Sequence, residues 1–558
     1  MSRYTVGLDF GTLSARAVLV DMADGRIVHS VSADYRHGVL DASLPSGKPL
    51  PRGFALQHPG DYTESLYRIV PDLIRESGVC PGDVKGIGID FTSSTLLPLR
   101  KDGTPLCFLD EFREEIHAWP KLWKHHSTAS HAAEIERVAR ERGESFLSRY
   151  GGRVSSEWLL PKILETLREA PAVYDEAIFV EGMDYLVLIL TGELSRSASS
   201  LGYKAFWHPR DGFPSDEFFR AVDPRLHDFP AEKLGGRILS PGTPAGSLLP
   251  DAAERLGLLP GTPVAAGTLD AHAAGPALGV TRAGQMYAVL GTSGCHMLLG
   301  DREKTVPGIC GVMDGGILPG FYGYEAGQSG FGDIFAWFLK NAVPAALQEE
   351  AEAKGIGLHA LLSEKAALLF PGESGLLALD WWNGNRSILV DPSLSGLLVG
   401  MTLRTSPAEI YRALLESVAF GMRMIVETYR ENGLAVDELT ATGGIAGKNP
   451  LLMQILADVL RFPVHIGGTD QASALGAAIL GAAAAGKKSG GYDSLIEAAE
   501  HMGDPGSIVY YPDPERADRY DTLFGAYRTL HDLFGRGGVP TMKLLASLAK
   551  THDGEVSL

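Results

Sequence analysis

Two stretches of the chain, residues 6–21 and 287–299, share one pattern: an apolar run, a Gly-Thr turn and a second apolar run. This pattern predicts a β-hairpin with a small, hydroxyl-bearing turn in each stretch. Because glycine has no Cβ, backbone N–H groups at such a turn can approach an anion closely. Asp9 lies near the end of the first apolar run, where a metal-phosphate complex would need a carboxylate. One such hairpin alone would indicate an ordinary structural turn, but the pair predicts two half-sites that close on one polyphosphate.

Motifs of other nucleotide-binding designs are incomplete in this sequence. Asp9-Phe10-Gly11 has the letters of the metal-binding triplet of protein kinases, but no glycine-rich loop or strand lysine precedes it. Residues 443–449 approach a phosphate-binding loop, but Thr442 replaces its first glycine and Asn449 replaces its Ser or Thr. The chain also has no GxGxxG, HExxH or GxSxG motif. A nucleotide site in this protein must therefore belong to another design.

The bulk properties of the chain exclude several classes of protein. Its 558 residues exceed the size of one hydrophobic core, so we expect at least two domains. A net charge of −18 opposes nucleic-acid binding but not the binding of a small phosphorylated ligand. The cysteines are too few and too scattered for a disulfide framework or a zinc site. Because no apolar run reaches the roughly 18 residues of a membrane span, we expect a cytoplasmic protein with no membrane partner.

The apolar periodicity and the turn residues predict the order of the elements. Successive strands are expected over 4–35 and a further strand over 84–91. Ser406 and Glu409 form a predicted capping box that opens a helix ending near Gly433. The alanine-rich run 474–485 predicts a tightly packed helix and not a membrane span. Further helices are predicted over 61–76, 131–142, 155–170 and 450–460.

The Gly- and Pro-rich segment 240–263 is the best candidate for a domain boundary. We therefore predict one domain over 1–262 and a second over 263–495. Residues 496–558 are predicted to be a mostly helical appendage that packs across the surface.

Motifs along nearly the whole chain resemble those of the FGGY carbohydrate kinases, of the actin/hexokinase/Hsp70 superfamily. The two hairpins alone would indicate only the superfamily, whereas GYKAFWH (202–208), YGYEAGQS (322–329) and LDWWNGNRS (379–387) point to the members that phosphorylate L-ribulose in L-arabinose breakdown. The other matching segments are GLDFGTLSARAVLVD (7–21), YRHGVLD (35–41), ALQHPGDY (55–62), GIGIDFTSST (86–95), LWKHH (122–126), RYGGRVSSEW (149–158), GTLDAHAAGPALG (267–279), GTSGCHMLLG (291–300), the residues 308–321 and 330–338 that flank YGYEAGQS, and GGIAGKN (443–449).

The resemblance implies an α/β fold of two ribonuclease-H-like domains, the actin-like ATPase fold, with mixed sheets. The active site is then expected in the cleft between the domains. This agrees with the two hairpins that the sequence pattern predicts independently.

The resemblance also implies roles for individual residues. Asp270 matches the family's catalytic aspartate and is assigned as general base, although an aspartate there could also cap the following helix. Asp9 matches the position that binds Mg²⁺. The predicted sugar-binding residues are Ser93, Lys204, Asp270 and Glu325. The predicted nucleotide-binding residues are Thr12, Leu13, Ser14, Arg16, Gly291, Thr292, Ser293, Gly327, Gly444, Ile445 and Asn449, of which Leu13 stands where relatives often carry a hydroxyl.

The implied activity is transfer of a phosphoryl group from MgATP to L-ribulose, giving L-ribulose 5-phosphate. Another pentulose or polyol remains an alternative substrate: D-ribulose, xylulose, ribitol or glycerol. A non-catalytic ATPase of the Hsp70 type is a third alternative, but only residues 496–558 follow the second predicted domain, and no peptide-binding domain is evident. The assembly state is left open and includes a homodimer.

Overall fold

A computed structural model describes residues 3–553 of the chain. Within this range the main elements are two mixed β-sheets of seven strands each, together with the helices around them. The strands are β1 (Tyr4–Phe10), β2 (Ser14–Asp21), β3 (Ile27–Asp34), β4 (Val84–Phe91), β5 (Leu96–Leu99), β6 (Ile178–Glu181), β7 (Ser195–Ser197), β8 (Arg237–Leu239), β9 (Pro244–Ser247), β10 (Pro263–Ala265), β11 (Thr268–Leu269), β12 (Gln285–Leu290), β13 (Gly294–Gly300), β14 (Gly311–Asp314), β15 (Tyr322–Gln328), β16 (Leu377–Leu379), β17 (Leu397–Val399), β18 (Glu438–Thr442), β19 (Val464–Ile466) and β20 (Ile508–Tyr510).

The helices connect the strands and cover the sheets. They are α1 (Pro59–Ser77), α2 (Ala129–Arg142), α3 (Leu159–Glu169), α4 (Pro171–Glu176), α5 (Gly182–Thr191), α6 (Ala198–Lys204), α7 (Asp216–Val222), α8 (Phe229–Lys233), α9 (Pro250–Leu256), α10 (Asp270–Ala277), α11 (Gly332–Asn341), α12 (Ala345–Lys354), α13 (Leu358–Ala367), α14 (Pro407–Glu431), α15 (Pro450–Leu460), α16 (Ala472–Ala485), α17 (Leu495–Met502), α18 (Pro514–Gly535) and α19 (Thr541–Asp553).

The two sheets repeat one arrangement, a hairpin followed by a parallel strand. In the first sheet the order is β3-β2-β1-β4-β10-β9, with β11 also paired to β4. In the second the order is β14-β15-β13-β12-β18-β19-β20. The β1-β2 and β12-β13 pairs are antiparallel hairpins, so both predicted hairpins are confirmed. The predicted α/β fold with mixed sheets is confirmed as well.

Local sequence patterns correctly predicted the ends of several helices and strands. The capping box at the start of α14 forms as predicted, since Ser406 Oγ accepts from the Glu409 N–H and the Glu409 carboxylate accepts from the Ser406 N–H. The predicted strand over 84–91 and the predicted helix over 450–460 are confirmed at those residues. The helix predicted over 155–170 begins later, at Leu159, because 155–158 form a turn.

Two small-residue helices, α10 and α16, lie between the sheets and share one apolar core with both. α16 follows β19 of the second sheet in the chain but packs on the first sheet. The approach is so close that a Cβ added to Gly7 would fall 2.1 Å from the Ala474 carbonyl oxygen, and one added to Gly88 would fall 1.8 Å from that of Ala477. Glycine in the strands is therefore what allows this helix to join the two halves.

The segments near the predicted boundaries contribute to both sheets. β10 and β11 lie after residue 262 in the chain but pair within the first sheet. The final segment is helical, but it lies deeper than a surface appendage would: β20 extends the second sheet, and Tyr520 and Tyr527 are fully buried in the second core. Their aromatic rings cover apolar surface, and the Tyr527 hydroxyl donates to Asp380 Oδ1 at 2.7 Å.

No helix within the described part of the chain combines the length and the apolar character that a bilayer crossing requires.

Candidate active site

The turns of the two hairpins both begin at a Gly-Thr pair and are closed by a backbone hydrogen bond from the glycine, but the first turn is one residue longer than the second. In the first, the Gly11 N–H donates to the Ser14 carbonyl at 2.9 Å, and in the second the Gly291 N–H donates to the Ser293 carbonyl at 3.0 Å. The tips are open to solvent: Leu13 is 59% exposed, and Thr292 is exposed too. Each turn therefore offers a tight, accessible backbone loop of the kind that binds phosphate.

Side chains hold the first turn in place. Gln57 Nε2 donates to the Thr12 carbonyl at 2.8 Å, and Trp123 Nε1 donates to Thr12 Oγ1 at 3.2 Å. The Tyr35 N–H donates to the Leu13 carbonyl at 2.8 Å. Gln57 and Trp123 were not predicted as site residues, because they are distant in sequence from the turn that they support.

Backbone groups hold the second turn. The N–H groups of Phe331 and Gly332, at the start of α11, donate to the carbonyls of Thr292 and Gly291 at 2.9 and 3.0 Å. Gly332 is needed here, since an added Cβ would fall 2.7 Å from the Gly291 oxygen. The start of α11 therefore fixes the second turn without a side-chain contact.

The loop after β18 lies against the second hairpin. The Ile445 N–H donates to the Leu290 carbonyl at 3.4 Å, and Gly443 has a φ of +93° with its Cα close to the same carbonyl. Gly444 is open on its outer side, and Asn449 caps α15 by accepting from the Leu452 N–H at 3.0 Å. The structure thus brings the predicted residues Gly444, Ile445 and Asn449 to the second turn. Gly327 lies apart from them on β15, with β13 and β12 between.

Three aspartates meet where β1, β4 and β11 end. Asp9 lies opposite Asp90 in the parallel pairing of β1 with β4, and Asp90 lies opposite Thr268, two residues before Asp270. Burial and the charges of Asp9 and Asp270 raise the pKa of Asp90 well above its ordinary value. Burial also raises the pKa of Asp9, which the Arg16 charge partly opposes. Asp90 was missed as a site residue; its signal is a second aspartate at the end of a predicted strand.

Asp270 is the first residue of α10, and its Oδ1 accepts from the Ala271 N–H at 2.7 Å. Burial, together with the charges of Asp9 and Glu325, raises the pKa of Asp270 to about 7. A carboxylate with a pKa near neutrality is a much better proton acceptor than an ordinary aspartate. The raised pKa gives Asp270 the acid–base property that a general base at neutral pH needs.

A buried ion pair lies on the other side of Asp270. Lys204 Nζ, at the end of α6, donates to both carboxylate oxygens of Glu325 on β15, at 3.1 and 2.9 Å. His272 Nε2 lies 3.4 Å from Glu325 Oε2, and Arg386 Nη2 lies 3.5 Å from Oε1. Burial opposes ionisation of Glu325, but the Lys204 charge, with help from His272 and Arg386, holds its pKa below the ordinary value. Fixed donors and acceptors of this kind suit a ligand with several hydroxyl groups.

His272 and Arg386 were not predicted as site residues. His272 lies two residues after Asp270, and Arg386 belongs to the segment 379–387 singled out in the sequence, but no spacing rule brings them to Glu325. Ser93, which was predicted, lies in the loop after β4, and among the described residues its hydroxyl contacts only that of Ser94, at 3.5 Å. Lys162 Nζ anchors this loop by donating to the Ser94 carbonyl at 2.6 Å.

The structure thus has two exposed glycine turns, a group of aspartates, and a buried Lys204–Glu325 pair whose charges act on Asp270. A model of the FGGY family of carbohydrate kinases matches the chain in two parts, the N-terminal domain over residues 4–276 and the C-terminal domain over residues 286–485. The chain belongs to the FGGY family of carbohydrate kinases. The kinase thus uses ATP and a small-molecule sugar, as the resemblance implied.

Curated relatives and solved structures agree with this assignment. The kinase is 52% identical over 559 residues to a ribulokinase of Halalkalibacterium halodurans, covering 100% of this chain and 99% of the relative. It is 51% identical to a ribulokinase of Geobacillus thermodenitrificans, with 98% of each chain covered. A gluconate kinase structure from Lactobacillus acidophilus has a TM-score of 0.79 at 19% identity, covering 96% of this chain and 99% of that one. A xylulose kinase structure from Rhodospirillum rubrum has a TM-score of 0.77 at 24% identity, covering 95% and 98%. The structural matches confirm the two-domain kinase fold.

Proposed function

We propose that this kinase transfers the γ-phosphoryl group of ATP to the terminal hydroxyl of L-ribulose and forms L-ribulose 5-phosphate. The choice of sugar rests on the similarity to ribulokinases. Their sequences are 52% and 51% identical to this one over nearly the full length of both chains. The buried Lys204–Glu325 pair supports this choice, because a fixed ammonium and a fixed carboxylate can read the hydroxyl pattern of a pentulose. Membership of a kinase family argues against the non-catalytic ATPase alternative.

The proposed sugar site extends from Lys204 and Glu325 to Asp270, with the Ser93 loop beside it. The proposed nucleotide site uses the two turns for the phosphates and the loop after β18 for the adenosine. Its residues are those predicted from the sequence: Thr12, Leu13, Ser14, Arg16, Gly291, Thr292, Ser293, Gly327, Gly444, Ile445 and Asn449. Asp270 is proposed to act on the hydroxyl that attacks, and its electrostatic coupling to both Asp9 and Glu325 supports this role.

The transfer needs a proton acceptor and neutralisation of charge. The oxygen of the sugar hydroxyl forms a bond to the γ-phosphorus while the bond from that phosphorus to the β,γ-bridging oxygen breaks, and ADP leaves with the bonding electrons. Asp270 orients the hydroxyl and takes its proton as the new bond forms. A pKa of about 7 leaves a large part of Asp270 ionised, and therefore able to accept, at neutral pH.

The three aspartates fit a Mg²⁺ ion bound with ATP. Both carboxylate oxygens of Asp90 are buried and have no hydrogen-bond partner among the described residues, and Asp9 lies beside it in register. Hard oxygen ligands are those that Mg²⁺ prefers, and it binds through few carboxylates and the substrate's phosphates. Asp9, with Asp90 next to it, would hold the ion, which would neutralise phosphate charge.

Two further proposals concern the protein's surroundings. The four thiols (Cys80, Cys107, Cys295 and Cys310) are all free, which supports action in the reducing cytoplasm. A homodimer is proposed as the assembly to test first, by light scattering at several protein concentrations.

A substrate panel tests the proposed function. ADP release is measured with MgATP and L-ribulose, D-ribulose, both xyluloses, ribitol or glycerol. We expect the highest kcat/KM with L-ribulose. A clear preference for another member of the panel would overturn the choice of sugar and keep the kinase assignment.

A further inference from the structure

The charged pair of the first hairpin has no equivalent within the second. In the β1-β2 hairpin, Asp9 lies directly opposite Arg16, two positions before the turn. In the β12-β13 hairpin, the positions equivalent in register are Val289 and Cys295. The second turn, where phosphate would also lie, therefore lacks a cation of its own on the neighbouring strand.

A cation from elsewhere in the chain reaches this position. Arg386 lies in the loop after β16, and its Cδ would be 3.2 Å from a Cβ built on Gly327, the residue that pairs with Cys295. The same built Cβ would be 2.8 Å from the carbonyl oxygen of Gly294, the first residue of β13 after the second turn. The Arg386 side chain therefore passes over Gly327, close to Cys295 and to the first residue of β13 after the second turn, and its guanidinium approaches Glu325.

Most N–H donors of the Arg386 guanidinium make no hydrogen bond to the described protein residues. Arginine carries five N–H donors, and the one polar contact of the Arg386 side chain within the described residues is the long 3.5 Å approach of Nη2 to Glu325 Oε1. The side chain is 30% exposed, so part of it is accessible to a ligand. The Arg16 side chain likewise makes no hydrogen bond within residues 3–553, although its charge acts on Asp9 across the hairpin, so both arginines keep donors that no protein group takes up.

The loop that carries Arg386 is held firmly on both sides. Asn385 and Asp391 exchange two backbone hydrogen bonds, at 3.0 and 2.9 Å, and Asn385 Oδ1 accepts from the Leu389 N–H at 2.9 Å. Ser387 Oγ accepts from the Gly327 N–H at 3.2 Å, which ties the loop to β15. A fixed backbone keeps the guanidinium near the second turn at low entropic cost.

We propose that Arg386 is a catalytic residue that binds the phosphoryl group during its transfer and then the phosphate of the product, as the second half's counterpart of Arg16. This inference rests on the proposed function. The new oxygen–phosphorus bond forms and the bond to ADP breaks as described above, while the hydroxyl proton goes to Asp270. Arg386 exchanges no proton, because guanidinium remains charged at all relevant pH values. It stabilises the charge on the phosphoryl oxygens through its free N–H donors.

The test separates a contact to phosphate from support of the sugar site. In R386M, a variant of similar length without charge, kcat is expected to fall about 100-fold. Calorimetric titration should show that affinity for L-ribulose changes by no more than about twofold, whereas affinity for L-ribulose 5-phosphate falls about tenfold or more. R386K keeps the charge but loses the planar fork, and it should recover part of both losses.

Equal loss of affinity for the sugar and for its phosphate would overturn the proposal, since Arg386 would then act only through Glu325. An unchanged kcat in R386M would overturn it too. If R386M does not fold, the same ratio of affinities is measured on R386K, where an unchanged ratio and kcat would reject the inference. If the unaltered kinase does not use L-ribulose, the proposed function fails separately, and the comparison is made with the sugar that it uses and with that sugar's phosphate.

Discussion

The two hairpins share strand pairing and a Gly-Thr turn, but they carry different side chains beside that turn. The first places Asp9 and Arg16 opposite each other beside its turn, and the second places Val289 and Cys295 at the same positions. The difference extends to the next strand: Asp9 pairs in register with Asp90, whereas Val289 pairs with Thr442. The three aspartates therefore lie where β1, β4 and β11 of the first sheet end, and among the described residues the second sheet has no such group beside its turn.

The supports of the two turns differ in the same way. The first turn is held by the side chains of Gln57 and Trp123, and the second by backbone N–H groups of Phe331 and Gly332. We propose that both turns bind phosphate, that the acids beside the first turn serve the metal and the proton transfer, and that Arg386 supplies the cation of the second turn.

The largest expected effect comes from removing the base on the acidic side. D270N should lower kcat about 1,000-fold, because the amide cannot take the hydroxyl proton. In the unaltered kinase, kcat/KM for the sugar should fall as the pH drops through about 7, since the Asp270 carboxylate must be ionised to act and its pKa is raised to that value. The measurement is ADP release from pH 5.5 to 8.5.

The outcome that contradicts this prediction is near-normal turnover by D270N. A profile flat between pH 5.5 and 8.5 would show that Asp270 does not titrate there in the free kinase. The thermal unfolding midpoint of D270N serves as the control for folding, because sugar binding is itself expected to involve Asp270.

The next effect compares equivalent positions in the two hairpins. R16M should lower kcat about 100-fold, because a free cation next to the first turn is lost where phosphate charge develops. C295A, at the equivalent position of the second hairpin, should change kcat by no more than about twofold, since it removes no charge. The measurement is the steady-state kcat of both variants. Equal effects of the two substitutions would mean that the hairpins do not differ in their chemistry.

The sequence alone predicted both hairpins and several site residues, whereas other site residues were found only from tertiary contacts. The Gly-Thr turns and the family motifs predicted both hairpins and named Asp9 and Asp270, which the structure brings together. Asp90 joins them only through the parallel register of β1 with β4, and no local pattern records such a register. Arg386 was missed for a similar reason, since its contact with Glu325 spans 61 residues of chain.

The smallest effect tests the side-chain support of the first turn. W123F removes the Nε1–H that donates to Thr12 Oγ1 at 3.2 Å, while it keeps most of the aromatic surface. We expect KM for ATP to rise about threefold and the free energy of unfolding to fall by about 1 kcal/mol, the typical contribution of one hydrogen bond. W337F is a matched control, because Trp337 is 47% exposed on α11, whose backbone and not its side chains holds the second turn. An equal rise in KM in both variants would show that the Trp123 contact does not position the first turn, and the contrast between side-chain and backbone support would then fail.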